Sequence, residues 1–213
     1  MRVHNPLDKI LNNEMKIKIL RFLCKTEAEW SGRQIAREVK VSPAACHKAL
    51  RELNNERVLL LRSVGKSYLY RLNKENIIIS ELLKPLYERE SKIPDDVYRA
   101  IVRNISSLVI NDIASIAVFG SIKKGKERPT SDIDLLVLVR NSEDKRKVEE
   151  DFGKVNEKIM GKFGNTISTY IQTTQEFKIK YKKGIVLVKN ILKSHKLLFG
   201  KPLCLMPNLN VKP

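Results

Sequence analysis

Cysteine is scarce in this chain of 213 residues, and histidine is equally rare. The three cysteines, Cys24, Cys46 and Cys204, lie far apart and form no Cys-x-x-Cys pair, and the three histidines show no metal-ligand spacing. These absences argue against a disulfide framework and against a zinc site. We therefore expect the cysteines to be small, buried hydrophobic residues in a reducing compartment.

Long apolar runs are also missing. Uninterrupted runs such as Leu135–Val139 are far shorter than the roughly 20 residues that a membrane-spanning helix needs. The N-terminal stretch MRVHNPLDKIL lacks the apolar core of a signal peptide. The sequence thus predicts a cytoplasmic protein with no membrane partner.

Acidic residues are outnumbered throughout the chain. The 41 Lys and Arg against 24 Asp and Glu give a formal charge of +17, with 19 against 11 in residues 1–92 and 22 against 13 in residues 93–213. Such a field attracts polyanions, so nucleic acid or nucleotide is the first partner to consider. A Lys-rich surface that only keeps the protein soluble is the alternative. The apolar content of 42% is sufficient for real cores.

Short helices with polar caps are predicted for the first third of the chain. The segment PLDKILNNEMKIKILRFLCK has apolar residues at helical spacing, with Asp8 as a candidate cap. Ser31 and Gln34 form a capping box for a second helix, and Ser42-Pro43 begins a third that extends to about Glu56. The outward face of this third helix carries Ala44, His47, Lys48 and Arg51.

A β-hairpin follows these helices. Strands are predicted over Val58–Ser63 and Tyr68–Leu72, around a tight turn that contains Gly65 and Lys66. A hairpin directly after a helix-turn-helix is a wing. The whole stretch SGRQIAREVKVSPAACHKALRELNNERVLLLRSVGKSYLYRLN resembles the winged-helix DNA-binding domains of bacterial and archaeal regulators.

This resemblance implies an interface with double-stranded DNA. One helix would enter the major groove, while flanking basic residues would hold the phosphate backbone. The residues expected at the DNA are Arg33, His47, Lys48, Arg51, Arg62 and Lys66. A winged helix that serves only for protein contacts is the alternative.

The residue pattern changes in the middle of the chain, where an apolar segment is followed by two prolines and a charged run. The apolar segment Ile77–Leu83 is a candidate pairing helix for a homodimer, and Pro85 and Pro94 follow it. The predicted boundary lies near Ser91–Pro94. We therefore expect a winged helix-turn-helix domain over residues 1–92 and a second domain over residues 93–213.

Strands alternate with helices in the second domain. Ser115–Phe119 and Ile133–Val139 are apolar strands, and TISTYIQ can be a third. The first predicted helix is DDVYRAIVRNISSLVI, the second is capped by Ser142, and the last is IVLVKNILKSHKLLF. One face of the first helix carries Val97, Ile101, Ile105, Leu108 and Val109. This alternation indicates an α/β or α+β domain, in which helices cover a mixed sheet.

Two like charges stand at the start of the strand Ile133–Val139. Asp132 and Asp134 share one face of it, and ten residues separate Asp132 from the Gly120-Ser121 pair. Their repulsion is tolerable if a divalent cation lies between them and a ligand, and Mg²⁺ prefers one or two carboxylates plus substrate phosphates. Gly120 allows a phosphate to approach the backbone, and Ser121 can bond its oxygens. The alternative is that the aspartates only cap the loop before the strand.

This spacing resembles the pattern of the minimal nucleotidyltransferases, a branch of the DNA polymerase β superfamily, over about Ile93–Leu203. The resemblance implies that Asp132 and Asp134 are catalytic and bind Mg²⁺, and that Gly120 and Ser121 bind a nucleoside triphosphate, with ATP expected. A winged helix followed by such a domain also resembles a known prokaryotic arrangement. Some relatives of this branch act as antitoxins that add AMP to a partner protein, so a toxin-like acceptor is a possible partner.

The family pattern also includes a third carboxylate on a neighbouring strand, which should lie at about Ser168 or Thr169. No Asp or Glu occupies Gly164–Gln175, and Glu176 belongs to a capping box begun by Thr173. Without this ligand, the metal that activates the attacking hydroxyl is incompletely held. Two hypotheses follow: a DNA-binding regulator that binds Mg-nucleotide without efficient catalysis, or an active enzyme that transfers AMP from ATP to a partner-protein hydroxyl.

Overall fold

The computed structural model describes residues 3–65, 67–123, 125, 127–128 and 130–205. The chain divides into two units, Met1–Ile93 and Pro94–Pro213. The first four helices of the first unit are α1 (Leu7–Ile10), α2 (Glu14–Thr26), α3 (Gly32–Glu38) and α4 (Pro43–Asn55). Its three strands are β1, Trp30–Ser31, β2, Leu59–Val64, and β3, Ser67–Leu72, which form an antiparallel sheet in the order β1-β3-β2. Helices α2, α3 and α4, followed by the β2–β3 hairpin, make this unit a winged helix.

The start of α2 is set by Asn13, whose side chain accepts a hydrogen bond from the Lys16 N–H at 2.9 Å. The expectation that Asp8 caps this helix was wrong, because the chain turns at Asn13 and leaves Asp8 inside α1. Lys16 is only 2% exposed. Its ammonium donates to the Lys9 carbonyl at 2.7 Å. It also forms an ion pair with Glu52 of α4 at 2.8 Å, and this pair connects α2 with α4.

The caps predicted for α3 and α4 are confirmed. The Ser31 hydroxyl accepts from the Gln34 N–H at 3.3 Å, and the Gln34 side chain accepts from the Ser31 N–H at 2.9 Å. Ser42 caps α4, and Pro43 occupies its first turn. Each cap satisfies a backbone donor that the helix itself leaves unpaired. The core that these helices enclose includes Ile19, Leu20, Leu23, Ile35, Leu50, Leu53 and Leu59.

The segment after the wing is helical. A π-helical stretch, Ile78–Leu83, leads into α5, Lys84–Asn104. The position predicted for the domain boundary, Ser91–Pro94, falls within α5. Pro94 lacks a backbone N–H, and the division between the two units coincides with it.

The second unit is built on a four-stranded sheet with the order β6-β5-β4-β7. Its strands are β4, Ile113–Val118, β5, Ile133–Val139, β6, Ile167–Thr173, and β7, Lys196–Gly200. The sheet is mixed, since β5 and β6 are parallel while β4 is antiparallel to both β5 and β7. The remaining helices are α6, Ser107–Ile110, α7, Gly120–Lys123, α8, Asp144–Phe163, α9, Thr174–Lys182, and α10, Val186–Lys193. The predicted α/β class with a mixed sheet is confirmed.

Alternation along β5 supplies two different faces. Ile133, Leu135 and Val137 join a core that contains Val148 and Phe152 of α8. Leu136 and Leu138 face the other way, toward a core formed with Phe177 of α9 and with Val188 and Ile191 of α10. Side chains alternate along a strand, so Asp134 lies on the same face of β5 as Leu136. It is near the start of the strand and is not part of the second core.

The last predicted helix was wrong in its extent. Helix α10 ends at Lys193, and the following residues form β7 instead. Ser194 has φ of −151° and ψ of 84°, which are not helical angles, and β7 then pairs with β4 along the edge of the sheet. The segment IVLVKNILKSHKLLF therefore forms both α10 and β7. Pairing with β4 gives the backbone of its second part hydrogen-bond partners outside a helix.

Three smaller expectations were also wrong. Leu108 is 76% exposed, because it lies on the outer side of the short helix α6. Ser142 makes no side-chain cap for α8, whose N-cap residue is Glu143. Cys204 is exposed, while Cys24 and Cys46 are buried as expected. Among the described residues, no helix has both the length and the apolar character needed to cross a membrane.

Candidate functional site

The carboxyl group of Asp134 packs directly against the turn that follows β4. Gly120 begins α7 with φ of +78°, and a Cβ added there would lie 2.9 Å from Asp134 Cγ and closer still to Oδ2. The Phe119 N–H donates to the Asp134 carbonyl at 3.0 Å, which aligns the turn with β5. Glycine is required here for its positive φ and for its lack of a side chain. The predicted Gly120-Ser121 turn and Asp134 are therefore in contact.

The two aspartates differ in their surroundings. Asp132 is exposed and accepts a hydrogen bond from the Thr166 hydroxyl, at the start of β6. Asp134 is half-buried, and burial raises its pKa, with a further contribution from the negative charge of Asp132. Ionised together, the two groups are an electrostatic cost to the fold. A cation placed beside them would relieve this cost.

Ser121 follows Gly120 in α7 and is half-buried. It lies one residue from the contact between Gly120 and Asp134. Within the described residues, no cluster of three or more His, Cys, Asp or Glu could hold a metal ion. Asp132 and Asp134 are therefore the candidate carboxylates at this point, and no third His, Cys, Asp or Glu joins them among the described residues.

The register of β5 against β6 identifies the position of the expected third carboxylate. Asp134 lies opposite Ser168, and Leu135 lies opposite Thr169. Residues opposite each other on adjacent strands share a face, so Ser168 is on the face of Asp134 and Thr169 is on the other. Ser168 is exposed. A neutral hydroxyl thus occupies the position beside Asp134.

Glu176 does not replace the missing group. Its carboxylate accepts the Thr173 N–H at 2.9 Å in a capping box and pairs with Lys145 at 2.5 Å. The hydrogen bond from Lys145 lowers the pKa of Glu176, as does the bond from the Thr173 N–H. This carboxylate is therefore already satisfied by a helix cap and an ammonium group.

Three polar residues on the same face of the sheet were missed in the sequence. Tyr170 and Gln172 follow Ser168 at intervals of two along β6. Lys180 of α9 donates to the Tyr170 hydroxyl at 3.0 Å and to Gln172 Oε1 at 2.6 Å. Alternation along STYIQ could have placed Tyr170 and Gln172 beside Ser168. Nothing in the sequence indicates the rotation of α9 that brings Lys180 to them.

The first unit presents a basic surface on α4. His47, Lys48 and Arg51 are exposed on one side of this helix, as predicted, while Leu50 on its other side is fully buried. A cleft of about 420 Å³ lies beside His47. It is lined by Ser31, Gly32, Arg33, His47, Ser67, Tyr68 and Tyr70. Two of the predicted DNA-contacting residues, Arg33 and His47, are thus brought together with the wing strand β3.

The remaining two predicted DNA-contacting residues have different outcomes. Arg62 of β2 donates to Glu29 Oε2 through Nη2 at 2.5 Å and through Nε at 3.2 Å. Arg71 lies 3.5 Å from the other oxygen of Glu29. The Arg62 guanidinium is therefore engaged, although its side chain is 62% exposed. Lys66 lies outside the described residues.

Two parts of the chain match known protein families. Residues 12–59 match the family described as winged helix-turn-helix DNA-binding. Residues 103–202 match the family described as polymerase beta, nucleotidyltransferase. Both resemblances predicted from the sequence are confirmed, and a winged helix-turn-helix segment precedes a nucleotidyltransferase-fold segment. No curated protein matches the chain.

Several solved structures are similar to parts of this chain at low identity. NolR from Sinorhizobium fredii is 20% identical, with a TM-score of 0.34 over 39% of this chain and 79% of that one. A toxin-antitoxin structure with AMP-PNP is 16% identical, with a TM-score of 0.31 over 51% and 73%. TrmBL2, described as an archaeal chromatin protein with a novel mode of DNA binding, is 17% identical, with a TM-score of 0.28 over 85% and 69%. At these TM-scores, none of the three adds to the family matches.

Proposed function

We propose that this protein is a prokaryotic, cytoplasmic DNA-binding regulator whose second unit binds a magnesium-nucleoside triphosphate, with ATP expected, and transfers the nucleotide poorly or not at all. The observation that carries this proposal is the register of β5 and β6, in which Ser168 stands beside Asp134. The nucleotide would then act as a signal rather than as a consumed substrate.

The residues at the turn fit a Mg²⁺ ion. Asp132 and Asp134 offer hard oxygen donors on one face, and Mg²⁺ typically takes one or two carboxylates together with phosphate oxygens. The raised pKa of Asp134 marks a site where added positive charge is favourable. When bound, the ion would be held by Asp132 and Asp134 and would neutralise their negative charge. Gly120 and Ser121 would approach the phosphates through backbone N–H groups and the Ser121 hydroxyl.

Slow transfer follows from the neutral residue at position 168. Two-metal displacement needs ligands for the ion that activates the attacking hydroxyl, and a carboxylate supplies both an oxygen and a negative charge. Ser168 supplies only a weak oxygen ligand. Glu176 is held by Thr173 and Lys145 and is not available. Nucleotide binding at Asp132 and Asp134 does not depend on this position.

Duplex DNA is the partner proposed for the first unit. The exposed side chains of α4 can reach base edges when this helix lies in the major groove. Arg33 and His47 line a cleft next to the wing, a position suited to a backbone phosphate. Lys48 and Arg51 lie on the same helix and are exposed.

A homodimer is the proposed DNA-binding form. Leu86 and Ile93, in the first half of α5, are 52% and 46% exposed, and they line an apolar groove of about 340 Å³ with Leu11 and Ile17. The two-fold symmetry of a dimer would match two half-sites on DNA. Leu86→Glu should shift the protein toward monomer in sedimentation velocity. Leu108→Glu, at a more exposed leucine outside this groove, is the matched control.

The nucleotide site is tested by calorimetry with a non-hydrolysable ATP analogue and Mg²⁺. We expect binding to the intact chain, loss of binding in Asp134→Asn, and no binding when magnesium is chelated. Absence of magnesium-dependent binding by the intact chain would contradict the proposal.

The catalytic part is tested by pyrophosphate release from ATP. The intact chain should release little, and Ser168→Asp should release more, because it restores a carboxylate opposite Asp134. Ser168→Asn, which adds similar volume without charge, is the control. Efficient release by the intact chain, with a labelled partner protein as acceptor, would instead establish the active transferase.

A further inference from the structure

Lys180 of α9 has neutral hydrogen-bond partners, which distinguishes it from Lys145 on the neighbouring helix α8. Its ammonium donates to the Tyr170 hydroxyl and to Gln172 Oε1, and it lies 5.1 Å from the centroid of the Tyr170 ring. Across the described ranges, no carboxylate lies within ion-pair distance of Lys180. Lys145, by contrast, is paired directly with Glu176. The charge of Lys180 is therefore only partly compensated.

Two hydrogen-bond donors remain at this cluster. An ammonium group has three N–H donors, and Lys180 uses two of them on Tyr170 and Gln172. Because the Tyr170 oxygen accepts the bond from Lys180, the Tyr170 hydrogen is left to donate. Both side chains are half-buried, so a ligand that met these donors would be partly removed from water. A positive charge with two remaining donors is suited to an anion such as phosphate.

The cluster lies on the face of the sheet that carries the aspartates. Ser168 is opposite Asp134, and Tyr170 is opposite Leu136, one step of two residues further along β6. Such a step covers about 6.6 Å. The sheet order places β5 between β6 and β4, so Gly120 and Lys180 are on opposite sides of the Asp132–Asp134 pair. A molecule approaching the pair from β6 would meet Tyr170 and Lys180.

We propose that Lys180 and Tyr170 form an anion-binding subsite that takes the phosphate group of a second ligand, a nucleotide or the end of an oligonucleotide, beside the bound triphosphate. Its assignment as a second subsite rests on the proposed nucleotide site at Asp132 and Asp134. The family pattern places a carboxylate next to this approach, and here the side chains on the same face are a hydroxyl, a phenol, an amide and an ammonium. This side of the site therefore selects a phosphate-bearing partner.

The probe is adenosine 5′-monophosphate, titrated by calorimetry into the full chain saturated with Mg²⁺ and the non-hydrolysable ATP analogue. We expect a second equivalent to bind, and the ring signals of Tyr170 to shift in NMR spectra. Lys180→Gln should weaken this second event at least tenfold and leave the affinity for the analogue unchanged. Lys182→Gln removes the same charge from an exposed position two residues away and should behave as the unaltered protein. Tyr170→Phe keeps the ring and should weaken the second event by a smaller factor.

Each alternative outcome has a separate meaning. If Lys180→Gln weakens analogue binding and no second equivalent binds to the unaltered chain, the phosphate at Lys180 is the triphosphate's own, and the second-ligand proposal is overturned. Unchanged monophosphate binding in Lys180→Gln overturns it as well. If the unaltered chain binds no analogue, the proposed nucleotide site fails. The subsite then stands if the monophosphate shifts the Tyr170 signals in a Lys180-dependent way, and falls if it does not.

Discussion

Replacing Gly120 by alanine adds one methyl group at the contact between the α7 turn and the Asp134 carboxyl. The added Cβ would lie 2.9 Å from Asp134 Cγ, whereas carbon atoms in van der Waals contact are about 3.5–4.0 Å apart. The carboxyl must therefore withdraw by roughly 1 Å. Metal and nucleotide sites need placement to within about 0.5 Å, so we expect the affinity for the Mg-nucleotide analogue to fall by about 10- to 100-fold.

A matched control separates this collision from backbone strain. Gly164 has nearly the same φ, +76° against +78° for Gly120, and a Cβ at Gly164 would meet nothing within 4 Å. A left-handed backbone costs a residue with a Cβ about 1–2 kcal/mol, and both alanine variants should lose this amount of stability. Gly120→Ala should lose about 1–3 kcal/mol more, the usual cost of an atom forced into occupied space.

Two measurements check this reasoning. Hydrogen exchange of the buried β5 amides gives the opening free energy of the sheet in each variant, and calorimetry gives the affinity for the analogue with Mg²⁺. Gly164→Ala should bind the analogue as the unaltered chain does. The reasoning is refuted if Gly120→Ala matches Gly164→Ala in both measurements, since the contact with Asp134 would then have no energetic role.

Three further predictions concern charge and reactivity. Folding raises the pKa of Asp134 above its ordinary value of 3.8, so the ionised carboxylate destabilises the folded state. Asp134→Asn should therefore have a higher melting temperature than the unaltered chain near neutral pH. This difference should disappear as the pH falls below 3.8, where Asp134 is protonated in both the folded and the unfolded state. Fluorescence anisotropy titrations of duplex DNA at several salt concentrations test Arg51→Ala. If Arg51 contacts a base, the substitution should weaken binding by about 1–3 kcal/mol; if it contacts a phosphate, it should reduce the slope of log K against log salt by about one. Lys154→Ala, which removes the same charge from α8, should change neither quantity. In the native protein only the exposed Cys204 should react rapidly with a thiol reagent at about pH 8. Cys24 and Cys46 should react slowly, because burial raises the pKa of each thiol to about 11. Rapid reaction of all three thiols would contradict the described core.

Local chemistry made much of the fold predictable from the sequence. The Ser31 and Thr173 capping boxes, the Ser42 cap and the strand Ile133–Val139 depend on residues within a few positions, and all are as expected. The N-terminal segment was predicted as one helix, whereas the structure divides it into α1 and α2, because Asn13 competes with Asp8 as a cap and the pattern of apolar residues alone does not choose between them.

Long-range pairing set the limit of prediction. The sequence left Ser168 and Thr169 as equal candidates for the third carboxylate position, and only the register of β6 against β5 separates them. Strand β7 was missed because its partner, β4, lies some 80 residues earlier, and apolar residues at an edge strand resemble the end of an amphipathic helix. Lys180 was missed for a similar reason, since the contact with Tyr170 depends on how α9 packs on the sheet.

The alternation of β5 and β6 separates the evolution of the site from the stability of the fold. Odd-numbered positions of β5 fill the core against α8, while Asp132 just before β5 and Ser168 on β6 are exposed and Asp134 is half-buried. Substitutions at Asp132, Asp134 and Ser168 can change the charge at this end of the sheet while the hydrophobic core against α8 stays as it is. The chemistry at this end of the sheet can therefore change in evolution without a change in the core that stabilises the sheet.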